Sequence, residues 1–360
     1  MAAAIYAIAT VSLLGVVLRP FRSPEVVWAV AGAALLVFAG FVPWPAALGA
    51  MAKGIDVYLF LIGMMLLSAL AEREGFFDYL AALCVVRARG SASRLFLLIY
   101  AVGTLVTALM SNDATAVVLT PAVLAVCRKA KARPLPYLLG CALIANAASF
   151  VLPLSNPANL VVFGDALPPL TAWVGRFLLP SLLSIVATYA MLRWQFRRDL
   201  DGAISEETHI PSLTVAGILA AAGIALMAGV LIVASAFGVS LGLPALLAAT
   251  SAWFAVSVAK REAPWRALGH VSWSIVPLVA GLFVLVEGLR RAGLLRFLTA
   301  ALRSATAASP ESAALGAGAV VAFACNLMNN LPAGLVAGSV VAAAGSDRLV
   351  QSAVAIGIDL

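Results

Sequence analysis

The chain alternates long apolar runs with short polar linkers. The runs cover residues 2–18, 25–48, 57–71, 95–110, 114–127, 135–164, 170–192, 213–236, 244–259, 272–289, 311–328 and 331–345, with a last one from about 349 to Leu360. A helix needs about 20 apolar residues to cross a bilayer, whereas a spanning strand would show short alternating segments. The pattern therefore predicts an α-helical membrane protein. Three runs depart from a plain span. Those at 95–110 and 114–127 are short and meet at Ser111-Asn112-Asp113. That at 135–164 carries Leu-Pro-Leu-Ser-Asn-Pro-Ala-Asn at 152–159, where two prolines deny the helix backbone donors.

Composition agrees with the pattern. Of the 360 residues, 63% are hydrophobic and 11% charged, against about half and a quarter in soluble domains. The net charge of +7 does not point to nucleic acid, because the basic residues form short clusters between apolar runs without interleaved stacking aromatics. The N-terminus lacks the basic start and small-residue cleavage site of a signal peptide, so 2–18 reads as a retained span.

The clusters Arg19/Arg22, Arg87/Arg89/Arg94, Arg128 to Arg133, Arg193 to Arg198 and Lys260 to Arg266 mark the cytoplasmic side. The two short runs then begin and end on that side, which predicts a re-entrant hairpin with its tip at 111–113. Non-helical backbone at such depth must be buried in protein or line a watery cavity. In 135–164 the hydrophobic flanks, Ala147 to Val151 and Leu160 to Phe163, favour a helix broken near the membrane centre over a surface loop between two short helices.

A displacement of 218 residues superimposes the sequence on itself. Gly63 falls on Gly281, Arg73 on Arg291, Gly75 on Gly293, Leu80 on Leu298, and Leu109-Met110-Ser111-Asn112 on Leu327-Met328-Asn329-Asn330. An odd number of crossings separates the two starts, so the second copy is expected to be inverted, an arrangement common in secondary transporters. The expected organisation is N-terminal scaffold spans at 1–56, a first repeat at 57–192, a polar linker at 193–212, scaffold spans at 213–271 and a second repeat at 272–360. The second hairpin would have its tip at Asn329-Asn330-Leu331-Pro332. Arg290, Arg291, Arg296 and Arg303 would then lie outside, against the positive-inside rule, which an interfacial amphipathic helix at 290–303 would explain. Leu360 corresponds to Ala142, so the partner of the broken helix at 143–164 is expected to be missing from the sequence.

Asp113 carries the sharpest chemistry. A carboxylate at a tip inside the membrane is costly and suits an ion pathway or proton relay. The bland reading makes Asp113 or Asn112 a helix N-cap with Thr115 in the first turn. Asn112, Ser155, Asn156, Asn159, Asn329 and Asn330 supply neutral donors and acceptors beside helix termini, whose open N–H and C=O groups also bind polar groups; Asn326 lies one turn before the second tip. Each asparagine could instead serve only the freed backbone. His209 reads as solvated and His270 as interfacial. Cys84, Cys127, Cys141 and Cys325 lie far apart without a CxxC pair and read as small core residues; no metal or cofactor site is expected. Gly238-Val239-Ser240-Leu241-Gly242 matches a nucleophile elbow but lies in a loop between spans with no histidine at hand, so an enzyme is not expected. A channel is the other rival. No Walker A loop occurs, which leaves direct ATP coupling to a separate subunit.

Ser-Asn-Asp-Ala-Thr-Ala at 111–116, Pro-Leu-Ser-Asn-Pro-Ala-Asn-Leu at 153–160, Asn-Asn-Leu-Pro at 329–332 and Gly-Ile-Asp-Leu at 357–360 resemble the membrane subunit of arsenite/antimonite efflux pumps, within the wider ion transporter superfamily. The resemblance implies an all-α polytopic transporter of the bacterial inner membrane, with a scaffold and a transport domain of two hairpins and two broken helices. It implies export of arsenite or antimonite in exchange for protons, sometimes with a soluble ATPase. It places Asn112, Asp113, Ser155, Asn156, Asn159, Asn329 and Asn330 at the site, with Asp359 at the start of the second broken helix. The superfamily also contains sodium/proton antiporters, the runner-up, and dicarboxylate carriers, which have Thr where Asp113 stands.

Overall fold

A computed structural model describes the chain except residues 206–209, 264–268, 270 and 329 and the side chains of Asp165 and Met328. His209, His270 and Asn329 thus lie outside the described residues. The chain is all-helical among the described residues, where the β pairing is a single isolated bridge, Ser91 with Ala203. The helices are α1 (Ala2–Leu18), α2 (Glu25–Phe38), α3 (Trp44–Ala52), α4 (Ile55–Arg73), α5 (Phe76–Ala88), α6 (Ala92–Leu109), α7 (Thr120–Lys129), α8 (Pro134–Ala147), α9 (Pro157–Phe163), α10 (Leu170–Gln195), α11 (Arg197–Leu200), α12 (Val215–Ala236), α13 (Gly242–Lys260), α14 (Ile275–Arg291), α15 (Leu294–Ala308), α16 (Pro310–Met328), α17 (Asn330–Ala344) and α18 (Arg348–Asp359). Among the described residues α4, α6, α10, α12, α13 and α16 are long and apolar enough to cross a membrane. With no hydrophobic drive between helices in lipid, close packing must hold them together.

The chain divides into two compact units. The first comprises Met1–Ile62, Pro157–Leu167 and Ser272–Leu360; the second comprises Gly63–Asn156 and Pro168–Val271.

In the first unit the hairpin of α1 and α2 packs on α14. Gly281 makes this possible: a Cβ there would sit 2.9 Å from the backbone of Ala29. Beside it, Glu287 is buried and accepts from Arg290 (Nε 2.6 Å, Nη2 2.6 Å) and from Arg291 Nε at 2.9 Å. Arg290 and Arg291 thus share one carboxylate. α15 follows, carrying Arg296 and Arg303 on its exposed side. α16 and α18 lie in close contact, and α9 rests on α17.

The second unit has a matching construction. The hairpin of α12 and α13 is tightly packed, and a Cβ on Gly63 of α4 would sit 2.7 Å from the backbone of Ala245 in α13. At the helix ends, Lys260 Nζ donates to Glu74 Oε1 at 3.0 Å and Arg73 pairs with Glu262, which ties the ends of α4 and α13. The Arg73 hydrogen bond holds the Glu262 carboxyl below its usual range. An aromatic cluster of Phe96, Tyr100, Tyr137 and Tyr189 joins α6, α8 and α10.

The parallel extends along the chain. α4 ends at Arg73 and α14 at Arg291; Gly75 and Gly293 then adopt left-handed φ of 74° and 95°, which glycine tolerates, and start α5 and α15. α6 and α16 begin 218 residues apart, at Ala92 and Pro310.

Candidate functional site

The expected site residues fall into two groups, one in each unit. Asn112, Asp113, Thr115, Ser155 and Asn156 belong to the second unit, and Asn159, Asn326, Asn330 and Asp359 to the first. The division falls between Asn156 and Pro157.

In the second unit α6 stops at Leu109 and helix resumes at Asn112. The cap differs from the expected one. Ser111 Oγ accepts from Ala114 N at 3.2 Å, while Asn112 Oδ1 accepts from the adjacent Asp113 N at 2.9 Å. Asp113 makes no capping hydrogen bond, and its side chain is accessible. With Ser111 as the cap, the carboxylate is not committed to the backbone.

The next turn is unusually wide. Ala114–Leu119 is a π-helix, and Thr120 N donates to Thr115 O five residues back. Its cause lies in the sequence: Pro121 has no N–H, and its ring would clash with the carbonyl four residues earlier. A wider turn relieves that clash, and such turns recur at functional sites. Thr115 is fully buried. Its hydroxyl lies 2.8 Å from the buried Thr107 hydroxyl and 3.4 Å from Gly103 O, to which it donates. Thr107 was not singled out from the sequence. Its signal is a hydroxyl in an apolar run, one helical turn before Ser111.

A second interruption lies beside the first. α8 ends at Ala147, a 3-10 turn spans Pro153–Ser155, and α9 starts at Pro157. Ser155 Oγ donates to Ala108 O at 2.9 Å and accepts from Leu152 N at 3.1 Å. It therefore satisfies an open carbonyl at the end of α6 and fixes the two interruptions together. Trp173 supports the bend by donating from Nε1 to Phe150 O at 3.1 Å. Asn156 is buried.

In the first unit Asn159 is fully buried on α9, whose backbone is approached closely by Gly338 of α17. Asp359 is fully buried at the end of α18. Asn330 is half-buried at the start of α17. Asn326 is exposed and donates to Ala322 O at 2.9 Å, a bond within its own helix. Among the described residues no group of three or more His, Cys, Asp or Glu is placed to hold a metal ion.

Apolar spans, paired helix interruptions and buried polar side chains beside them mark a multi-pass membrane protein, and its relatives make it a transporter. The chain belongs to the citrate transporter family, whose model matches residues 13–357. It is 30% identical over 284 residues to an arsenical pump membrane protein of Yersinia enterocolitica, covering 76% of this chain and 66% of that protein. An arsenical pump membrane protein of Escherichia coli is also 30% identical, over 287 residues with the same coverage. An uncharacterized transporter of Mycobacterium tuberculosis is 24% identical over 286 residues, 77% of this chain and 65% of that protein. The chain thus spans just under two thirds of the length of these relatives. It is a multi-pass protein of the bacterial inner membrane.

Proposed function

We propose that the protein exports arsenite or antimonite in exchange for protons. The observation that carries the reading is Asp113, an accessible carboxylate at a helix interruption that Ser111 relieves of capping, in a chain similar to arsenical pump membrane proteins. Asp113 takes a proton from outside and releases it inside. Asn112, Asn156, Asn159, Asn329 and Asn330 and open backbone groups offer the neutral hydroxide of trivalent arsenic hydrogen bonds along its pathway, with Ser155, Thr115, Asn326 and Asp359 in supporting places. A fixed negative charge in a low-dielectric site repels an anion, so the carboxylate argues against citrate or a dicarboxylate as cargo. It also suits Na+, which makes sodium/proton exchange the second reading.

In this reading the helices displaced by 218 residues form an inverted pair, with 57–192 and 272–360 as repeats, 193–212 as the linker, and 1–56 and 213–271 as scaffold. A soluble ATPase is an optional partner.

Everted membrane vesicles bearing the protein test this directly. With an imposed proton gradient, arsenite accumulates and a protonophore abolishes the accumulation. Dissipation of the gradient by Na+ without arsenite uptake replaces this reading with the second.

A further inference from the structure

Apart from the transport residues, one charged recess stands out at the end of α10. A pocket of about 320 Å³ is lined by Trp194, Gln195, Arg197 and Arg198. Of the neighbouring charges, Asp199 pairs with Arg133, and Asp201 lies 4.0 Å from Arg193. Arg197 and Arg198 are exposed and make no ion pair among the described residues. Two guanidinium groups beside an indole form a ready receptor for a phosphate.

The helix leading to the pocket says where that phosphate comes from. Only 17% of the apolar window of α10 is buried inside the protein. Leu179, Leu182, Leu183 and Val186 recur at helical spacing as an exposed stripe, and Trp194, 66% exposed, continues it. That stripe faces acyl chains. At 26 residues α10 is about 39 Å long, against a hydrocarbon core of about 30 Å. Fitting it wholly inside would take a tilt of about 40°, the extreme of the observed range. One end therefore emerges at headgroup level, and the exposed Trp194 with Arg197 and Arg198 just beyond it, residue types favoured there, marks it as the last turns.

We propose that Trp194, Gln195, Arg197 and Arg198 bind the phosphate of an anionic phospholipid whose tails lie along the α10 stripe. The occupant is a lipid because the stripe runs without interruption into the pocket. The two arginines neutralise the headgroup, and Trp194 marks its depth.

The full chain, purified in detergent, is titrated with phosphatidylglycerol and with phosphatidylcholine, and bound lipid is counted by native mass spectrometry. Phosphatidylglycerol is expected to bind at least tenfold more tightly. The Arg197→Gln/Arg198→Gln variant is expected to lose roughly 30-fold in affinity for it, the product of two basic residues at an anionic surface. Equal binding of the two lipids, or undiminished binding by the variant, overturns the proposal. So does full displacement of the lipid by millimolar inorganic phosphate, which would make the pocket a site for the free ion. Should the double variant not fold, quenching by brominated phosphatidylglycerol decides the matter. The wild type is expected to lose a fluorescence component that Trp194→Phe lacks; identical quenching in the two proteins overturns the proposal.

Discussion

Asp113 and Ser155 show how much one side chain decides. Asp113→Asn keeps size and hydrogen-bonding capacity but removes the titratable charge. It is expected to abolish arsenite accumulation driven by a proton gradient while leaving expression and thermal unfolding unchanged; an active variant would remove the proton-carrier role. Ser155→Ala strands two backbone groups, the buried Ala108 O and the half-buried Leu152 N. Leaving such groups unsatisfied costs about 1–3 kcal/mol, to be read as a fall in the detergent-solubilised melting temperature. Both residues were legible in the sequence because polar groups inside apolar runs are few. Thr107 was less so, since its importance comes from its contact with Thr115, eight residues away. The division of labour at the tip was also hidden. Ser111, Asn112 and Asp113 can all cap a helix, and only the fold selects Ser111.

At the level of elements, glycines and charge pairs set the packing. Gly63→Val and Gly281→Val would push a side chain into the backbone of Ala245 and of Ala29, which cannot swing aside. Each is expected to cost about 1–3 kcal/mol or more, while Gly49→Ala, which meets nothing within 4 Å, serves as the neutral control. The interruptions at 110–111 and 148–156 were readable from proline, asparagine and serine in or beside them in otherwise apolar runs. The π-helix was not, because reading it requires knowing that α7 continues through Pro121. Charge pairing at the helix ends adds a pH dependence. Folding lowers the Glu262 carboxyl through its bond with Arg73, so the pair stabilises above the unfolded carboxyl's range and is lost as pH falls through the folded one. The melting-temperature difference between wild type and Glu262→Gln is therefore expected to shrink below about pH 4, and it starts small because the pair is exposed.

On the scale of the whole molecule, apolar run length and charge clusters were enough to give an all-helical membrane protein. Helix partners were not legible, because α1 and α2 pack on α14 from the far end of the chain and α12 and α13 pack on α4. The inverted reading has a direct test. All four native cysteines are buried, which leaves a quiet background for thiol reagents. Arg193→Cys and Arg296→Cys are expected to react with an impermeant maleimide from opposite sides of the membrane; labelling from the same side would rule out the inversion. The long-range pairing of α2 with α14 also has a consequence for synthesis. More than 230 residues separate Phe38 from Ile275, and at about 5–20 residues per second the first hairpin leaves the ribosome some 10–50 s before the helix it packs against. During that interval the groove shaped for Gly281 holds only lipid, so the early hairpin must survive in the bilayer on its own contacts until the late helix displaces it.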